Sequence, residues 1–474
     1  MNQINLEIGN KIKSKRRKLG ITQADLSRKL SISPSYLNLM ESGKRKINVD
    51  LLLKIANELN VNVSDISKKT DTNLYQNLMD LLGDNLFENL DITNFNVKDL
   101  VNTNPLIAKA LVKLGDNYRK KNQDIVSKVE NISGKFIDGR KNSFPGEVVA
   151  DFIQENENYF PKLEEFASDI FKKIQTNNRV GYSSICEYLF NKHKIEVKDV
   201  VPDENKPFTK QYDEIKKIFL VSDYLNLETK KLYAAAHVAQ LEAADVIDKY
   251  LNTFSFPSEE SKKLSKVALL NYVGAAIIMP YGLFYEECIK QRYDVELLQN
   301  TFAVSFEQVA HRLTCLQDPK MKGIPFHMLR ADVAGNISKR FSLSGIEIPR
   351  YGGACPRWNI YKAFTMPGKI NAAVSKMPNG DKYVCIARTV EKGIGKHGME
   401  KTLLSIGLGC QVKYAKDFVY ADSLNLNDKK TETPIGVNCR TCDRMDCQQR
   451  AFPPLHKKFD IDLNKRGISV YVAD

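Results

Sequence analysis

The sequence predicts a multidomain fold, mainly α-helical with an α+β centre. Three observations predict it: a basic run of short helical patterns at the start, a strand set among long helical patterns in the middle, and cysteines crowded towards the end. At 474 residues the chain has room for about two to four domains. Its 43% hydrophobic and 27% charged residues are those of a protein that builds a core. No apolar run approaches the roughly 18–20 residues of a membrane span; Val273 to Met279 is the longest. Met1 to Asn5 lacks the basic-then-apolar layout of a signal peptide, so a cytoplasmic location is expected.

The net charge of +13 is unevenly placed. Residues 1–69 hold 14 Lys/Arg against 6 Asp/Glu, whereas Asp71 to Leu100 has six acidic residues and one lysine. The change marks a boundary after residue 69. A basic unit on a near-neutral body fits a module that meets phosphates, because its cations release condensed counterions.

Within residues 1–69, Ile4, Ile8 and Ile12 recur at helical spacing, and Gly20 can close that helix. Thr22 can cap a second helix over Gln23 to Leu30. The turn Ser31-Ile32-Ser33 leads to a third, with Pro34 at its favoured first position. Val49 to Leu59 supplies a fourth helix and Val63 to Ile66 a final turn. The pattern Gly20-x-Thr22-Gln23-x-x-Leu26, Ser33-x-Ser35-Tyr36-Leu37 and Glu41-x-Gly43-Lys44-Arg45 resembles the lambda-repressor-like (Cro/cI, XRE) helix-turn-helix family. The resemblance implies double-stranded DNA as partner. A helix inserted in the major groove reads base edges with its N-terminal residues, here Ser35, Tyr36 and Asn38 beside Ser33. Gln23, Lys44 and Arg45, beside Thr22, would hold phosphates, which position without specifying.

Residues 70–180 read as a helical connector, with Leu78, Leu81, Leu82, Leu106, Leu111 and Leu114 at apolar positions and Pro105, Pro145 and Pro161 as punctuation. A dimer contact is expected there.

Residues 181–317 change character. Phe219-Leu220-Val221 reads as a strand, followed by a helix from Lys231 to Glu242 and apolar text from Asn271 to Pro280. The order is similar to the zincin-like (ImmA/IrrE-type) domain, whose active forms carry His-Glu-x-x-His. Zinc hydrolysis needs two histidines at i and i+4 and a glutamate to activate water. Here the five positions are His237, Val238, Ala239, Gln240 and Leu241, and Leu269 stands where a further acidic ligand belongs. No catalytic residue is expected, and a metallopeptidase reading is disfavoured. His237 is expected in the core or in a ligand pocket.

Residues 318–474 carry Cys439-x2-Cys442-x4-Cys447 followed by Arg450. Thiolates this close converge on one centre only if a metal or cluster neutralises them. The fourth ligand must come from elsewhere: Cys355, in Gly352-Gly353-Ala354-Cys355-Pro356, or Cys410, in Gly407-Leu408-Gly409-Cys410, where glycines let the backbone approach closely. Zinc on the three cysteines plus His456 stays an alternative to an iron–sulfur cluster.

Together with Ala334-Gly335-Asn336-Ile337-Ser338-Lys339-Arg340 and Cys355-Pro356-Arg357-Trp358, the terminal cysteine–arginine block resembles the short-chain fatty acyl-CoA regulators over nearly the whole chain. Those are helix-turn-helix proteins that control propionate (methylcitrate) and glyoxylate-cycle genes. The resemblance implies a short-chain acyl-CoA effector and, in some members, a [4Fe–4S] cluster. A CoA thioester asks for cations at its phosphates and an aromatic or apolar slot. Tyr281 and Arg292, on what reads as one long helix, Arg312 on the next, and His237 are the expected ligand residues. The reading is a homodimeric, acyl-CoA-responsive DNA-binding regulator; its rival is a redox or oxygen sensor signalling through the cysteines alone.

Overall fold

A computed structural model describes residues 9, 12–13, 15–16, 21–42, 45, 47–59, 72–82, 87, 92–115, 145–203, 207–349, 354–393, 401–426, 428–440, 442 and 444–453. The chain divides into two compact units: residues 1–139 with 349–351 and 438–474, and residues 140–348 with 352–437.

The first unit opens with helical residues around Ile12 and Arg16. Then follow α1 (Gln23–Lys29), α2 (Pro34–Glu41) and α3 (Val49–Glu58). Each starts where the sequence offers a polar cap. Thr22 accepts from the Asp25 amide, Ser33 from Tyr36 and Asn48 from Leu51, each satisfying an amide the helix leaves unpaired. Ser31 turns the chain between α1 and α2 with φ of 54°. Ile12, Leu26, Leu30, Leu37, Met40, Ile55 and Leu59 bury one small core. Helices α4 (Thr72–Leu82), α5 (Asn94–Thr103) and α6 (residues 105–115) form a second, around Leu78, Val97, Val101 and Ala108. Ile4, Ile8, Gly20, Gly43, Lys44, residues 63–66 and His456 lie outside the described residues.

The second unit begins with α7 (Pro145–Glu155) and α8 (Pro161–Ile174), which the sequence pattern placed in the connector. Their Phe152, Leu163, Ala167 and Ile170 enter the large core of this unit. Next come α9 (Tyr182–His193), β1 (Glu196–Val200), β2 (Lys210–Asp213) and β3 (Ile218–Ser222). These strands form a small sheet in the order β1-β3-β2, with β1 parallel and β2 antiparallel to β3. Helices α10 (Leu227–Glu242), α11 (Ala244–Asn252) and α12 (Glu259–Ile278) follow. Then come α13 (Tyr281–Lys290), α14 (Val295–Phe302) and α15 (Phe306–Leu313). Among the described residues no single helix is long and apolar enough to cross a membrane.

The expected long helix from Tyr281 to Asp294 is shorter. It ends at Lys290, and Arg292 and Tyr293 turn away with φ of 48° and 58°. Tyr293 is then buried, and its amide donates to Cys288 O at 2.8 Å, closing the end of the helix.

The rest of the unit is a six-stranded sheet in the order β5-β4-β8-β7-β6-β9. Its strands are β4 (His327–Asp332), β5 (Ile337–Ser342), β6 (Asn371–Lys376), β7 (Lys382–Lys392), β8 (Thr402–Gln411) and β9 (Glu432–Pro434), with the short helix α16 (Asn359–Lys362) between β5 and β6. One sheet face, with Met328, Val384, Ile386, Ile406, Leu408 and Cys410, joins the large helical core. The other, with Leu329, Ala331, Cys385 and Ala387, is covered by Trp358, Ile360, Ile346 and Ile435. The alternation of β8 sends each residue to the opposite face from its neighbour.

Candidate functional site

The helix-turn-helix geometry is fixed from within. Arg16 Nε and Nη2 donate to the two oxygens of Glu41 at 2.6 and 3.0 Å, and Arg16 Nη1 donates to Ile21 O at 2.8 Å. Both side chains are buried. Gln23 Nε2 donates to the same carboxylate at 2.7 Å and lies 3.5 Å from Asn38 Oδ1. The first, second and third helical segments are thus tied through one acid at the end of α2. Sequence reasoning missed Arg16, which sits inside a run of cations that reads as a solvated face.

On the outer side of α2, Ser35 and Asn38 are exposed, while Ser33 and Thr22 serve as exposed caps. Tyr36 is half-buried, and the Arg45 guanidinium stands 4.8 Å from its ring centroid. Lys44 lies outside the described residues. The N-terminal half of α2 therefore exposes polar side chains, with the Arg45 cation from the segment after the helix set against Tyr36.

The four expected ligand residues are not brought together; each is held by partners inside the second unit. Arg312 Nη1 and Nη2 donate to Glu164 at 2.6 and 2.8 Å, and its Nε donates to Met279 O at 3.0 Å. Tyr281 OH donates to Met321 O at 3.0 Å and accepts from the Asp318 amide at 2.8 Å. Arg292, exposed, donates to both oxygens of Asp422 at 2.7 Å and to Lys416 O. His237 is stacked on Phe219 at 4.4 Å with rings 4° apart, with Tyr212 also at 4.4 Å. Burial pushes its imidazole down to about 4, and Nε2 has no hydrogen-bond partner among the described residues. On the helix that would carry the zinc motif, the histidine is packed as a neutral aromatic ring.

Cys410 also leaves the expected cysteine centre. It is fully buried on the sheet face that joins the helical core. The neighbouring glycines serve side chains, not a metal. Gly409 lies in the β-ladder between His327 and Cys385, and a Cβ there would stand 2.5 Å from His327 Cε1 and 2.9 Å from Cys385 Sγ. Without that Cβ the imidazole and thiol approach to 3.6 Å, and His327 Nδ1 meets Ser344 Oγ at 2.8 Å. This pair lines a small cavity with Leu329, Ile346, Trp358 and Ile435. Burial holds the His327 imidazole down at about 3 and the Cys385 thiol up at about 12, so both are neutral at ordinary pH.

Cys439, Cys442 and Cys447 lie on one loop organised by Arg450. Its buried guanidinium donates to the carbonyls of Cys439 (2.5 Å) and Cys442 (2.8 Å) and also to that of Arg444. The Ala451 amide donates to Cys439 Sγ at 3.4 Å. An amide aimed at sulfur and a fixed cation are features that stabilise thiolates on a metal or cluster, so the donor chemistry fits. Burial pushes the Cys442 thiol up, with Arg450 and Arg444 opposing. Among the described residues no three His, Cys, Asp or Glu side chains are gathered tightly enough to hold an ion. Cys355 is buried against Trp358 in the second unit, its amide donating to Val437 O at 2.9 Å.

A capped helix-turn-helix with an exposed polar recognition edge, on a chain whose zincin motif has lost its ligands, defines a DNA-binding transcription regulator. The chain belongs to the short-chain fatty acyl coenzyme A regulator family. Residues 315–471 match that family's C-terminal profile, residues 12–66 a helix-turn-helix profile, and residues 191–314 the IrrE N-terminal-like domain. The HTH-type transcriptional regulator RamB of Mycobacterium tuberculosis is 34% identical over 98% of both chains. The propionyl-CoA carboxylase regulator of Cereibacter sphaeroides is 32% identical over 98% of both. A solved structure described as a Mycobacterium tuberculosis transcriptional regulator is 33% identical and superposes with a TM-score of 0.65, covering 69% of this chain and all of that one. These relatives are named as regulators, in accord with the loss of the zinc ligands here.

Proposed function

We propose that this DNA-binding transcription regulator responds to a short-chain acyl-CoA and thereby controls genes of short-chain fatty acid metabolism. The observation that carries the reading is full-length similarity to a family described by that effector, including a relative named for propionyl-CoA carboxylase. Ligand would bind the second unit and bias the placement of two helix-turn-helix units in a cytoplasmic homodimer. Such coupling requires different ligand affinity in two global states. A dimer suits a motif that reads half-sites one helical turn apart. Apolar side chains on α6, Leu106 at 81%, Ile107 at 53% and Leu114 at 66% exposure, support a contact between copies.

Cys439, Cys442 and Cys447 would supply thiolates to a [4Fe–4S] cluster, and zinc on these three with His456 is the alternative. A cluster supplies one-electron redox and oxygen sensitivity; the chain's part is to shield the sulfurs and offset their charge through Arg450. Metal analysis of anaerobically purified protein separates the two.

The effector is tested by thermal unfolding against a panel of short-chain acyl-CoAs and free CoA. A ligand that binds the folded state alone, at about 100 times its dissociation constant, adds roughly 2.7 kcal/mol. Selective stabilisation by one thioester names the effector. No shift with any of them removes the acyl-CoA claim and leaves the cysteine centre as the sensor.

A further inference from the structure

The second unit carries a group of cations that its carboxylates do not neutralise. Glu307, in the first turn of α15, is nearly buried. Arg330 Nη1 and Lys339 Nζ meet its Oε1 at 2.9 and 3.0 Å, and Lys392 meets its other oxygen. The three cations hold the carboxyl well below its usual range despite burial.

The cations come from three strands and share one face. Lys339 is the ladder partner of Arg330, and Arg330, Ile406 and Arg388 form one row across β4, β8 and β7. Lys392 lies four residues beyond Arg388 on β7, hence on the same side. Arg388 stands over the Phe306 ring at 5.4 Å and reaches Glu296 at 3.2 Å. Its Nε is buried and has no acceptor among the described residues. Among the described residues, four cations therefore face two carboxylates. Lys339 and Lys392 keep 48% and 47% of their side chains exposed, so the excess charge is open to solvent.

Neutralising the two carboxylates takes two of the four cations. Two charges in excess, fixed on sheet strands, form a pre-arranged seat for a dianion, and phosphate oxygens take charge-assisted bonds from lysine and arginine together. We propose that Arg330, Lys339, Lys392 and Arg388 bind the phosphate end of the effector, the 3′-phosphate or pyrophosphate of its nucleotide. The inference rests on the acyl-CoA reading for the identity of the ligand, and on the charge excess for its place.

The test is calorimetric titration of the full-length protein with CoA, 3′,5′-ADP and inorganic pyrophosphate. Lys339→Gln, Lys392→Gln and the double variant are compared with Lys216→Gln, an exposed turn lysine paired with Asp213. Thermal unfolding without ligand checks that each variant folds. The double variant is expected to lose about tenfold or more in CoA affinity, as for lost hydrogen bonds to a charged group, while K216Q matches wild type. In wild type, 3′,5′-ADP is expected to compete with CoA, a readout that needs no variant. If wild type binds CoA and the double variant binds it equally well, the site is overturned while the acyl-CoA reading stands. If wild type binds neither CoA nor 3′,5′-ADP, both are overturned.

Discussion

Arg312 and Glu164 meet through two parallel hydrogen bonds at 2.6 and 2.8 Å, with both side chains buried. Tyr272 donates to the same carboxylate, and Met279 O accepts from Arg312 Nε. The pair joins α15 to α8 across the helical core of the second unit. Removing one partner leaves an uncompensated buried charge, so Arg312→Leu is expected to cost about 3–5 kcal/mol. The double change with Glu164→Leu should cost less than the sum of the single changes. The single tryptophan, Trp358, lies in this unit and reports its urea unfolding by fluorescence. A loss below about 1 kcal/mol in Arg312→Leu would show that the pair does not hold the core.

Gly409→Ala places a methyl group against His327 and Cys385, the nearest ring atom being 2.5 Å away. Overpacking of this kind costs about 1–3 kcal/mol. His327→Ala in the Gly409→Ala background removes the obstructing ring and should recover part of that loss, read in the same unfolding experiment. Equal stability of Gly409→Ala and wild type would contradict the close approach.

Acid should destabilise the second unit early. The His237 and His327 imidazoles are held at about 4 and about 3, below the ordinary 6.5. The unfolded chain therefore takes up protons first as pH falls. Stability is full above about pH 6.5 and declines below it, by at most about 1.4 kcal/mol per pH unit for each histidine. His237→Phe keeps a ring against Phe219 and removes one titrating group. Its unfolding free energy should fall less steeply than that of wild type between about pH 6 and about pH 5; parallel pH curves would count against a buried neutral histidine.

At the DNA interface, Asn38→Ala should relax sequence preference, at a cost of about 1–3 kcal/mol on the preferred duplex if the side chain reads a base. Arg45→Ala should weaken all duplexes alike and reduce the slope of affinity against salt by about 1. Fluorescence anisotropy on a selected and a scrambled duplex, at several salt concentrations, separates the two behaviours. Identical effects of both changes on both duplexes would mean that α2 is not the reading helix.

Local signals made the DNA module legible. Thr22 and Ser33 mark helix starts through bonds within three residues, Pro34 presets the first helical residue, and the observed caps are those bonds. The loss of the zinc motif was equally plain, because a ligand set on one helix turn is a short-range pattern. Long-range pairing was not. Arg312 reads as a spare cation until Glu164, 148 residues away, is seen beside it. Gly407 and Gly409 suggest room for a metal on spacing alone, whereas strand alternation turns Cys410 to the opposite face and gives the space to Ile360, Leu329, His327 and Cys385. The cation group at Glu307 is likewise assembled from three strands and a helix, with no contiguous motif to announce it.

The central claim is that an acyl-CoA changes how tightly this protein holds DNA. The direct measurement is the affinity of the full-length, anaerobically purified protein for a duplex it selects from a random pool, with and without saturating propionyl-CoA, acetyl-CoA or free CoA. A shift of about 5–150-fold is expected with one thioester and a smaller one with free CoA, the range of an ordinary coupling between sites. An affinity unchanged by every thioester would contradict it.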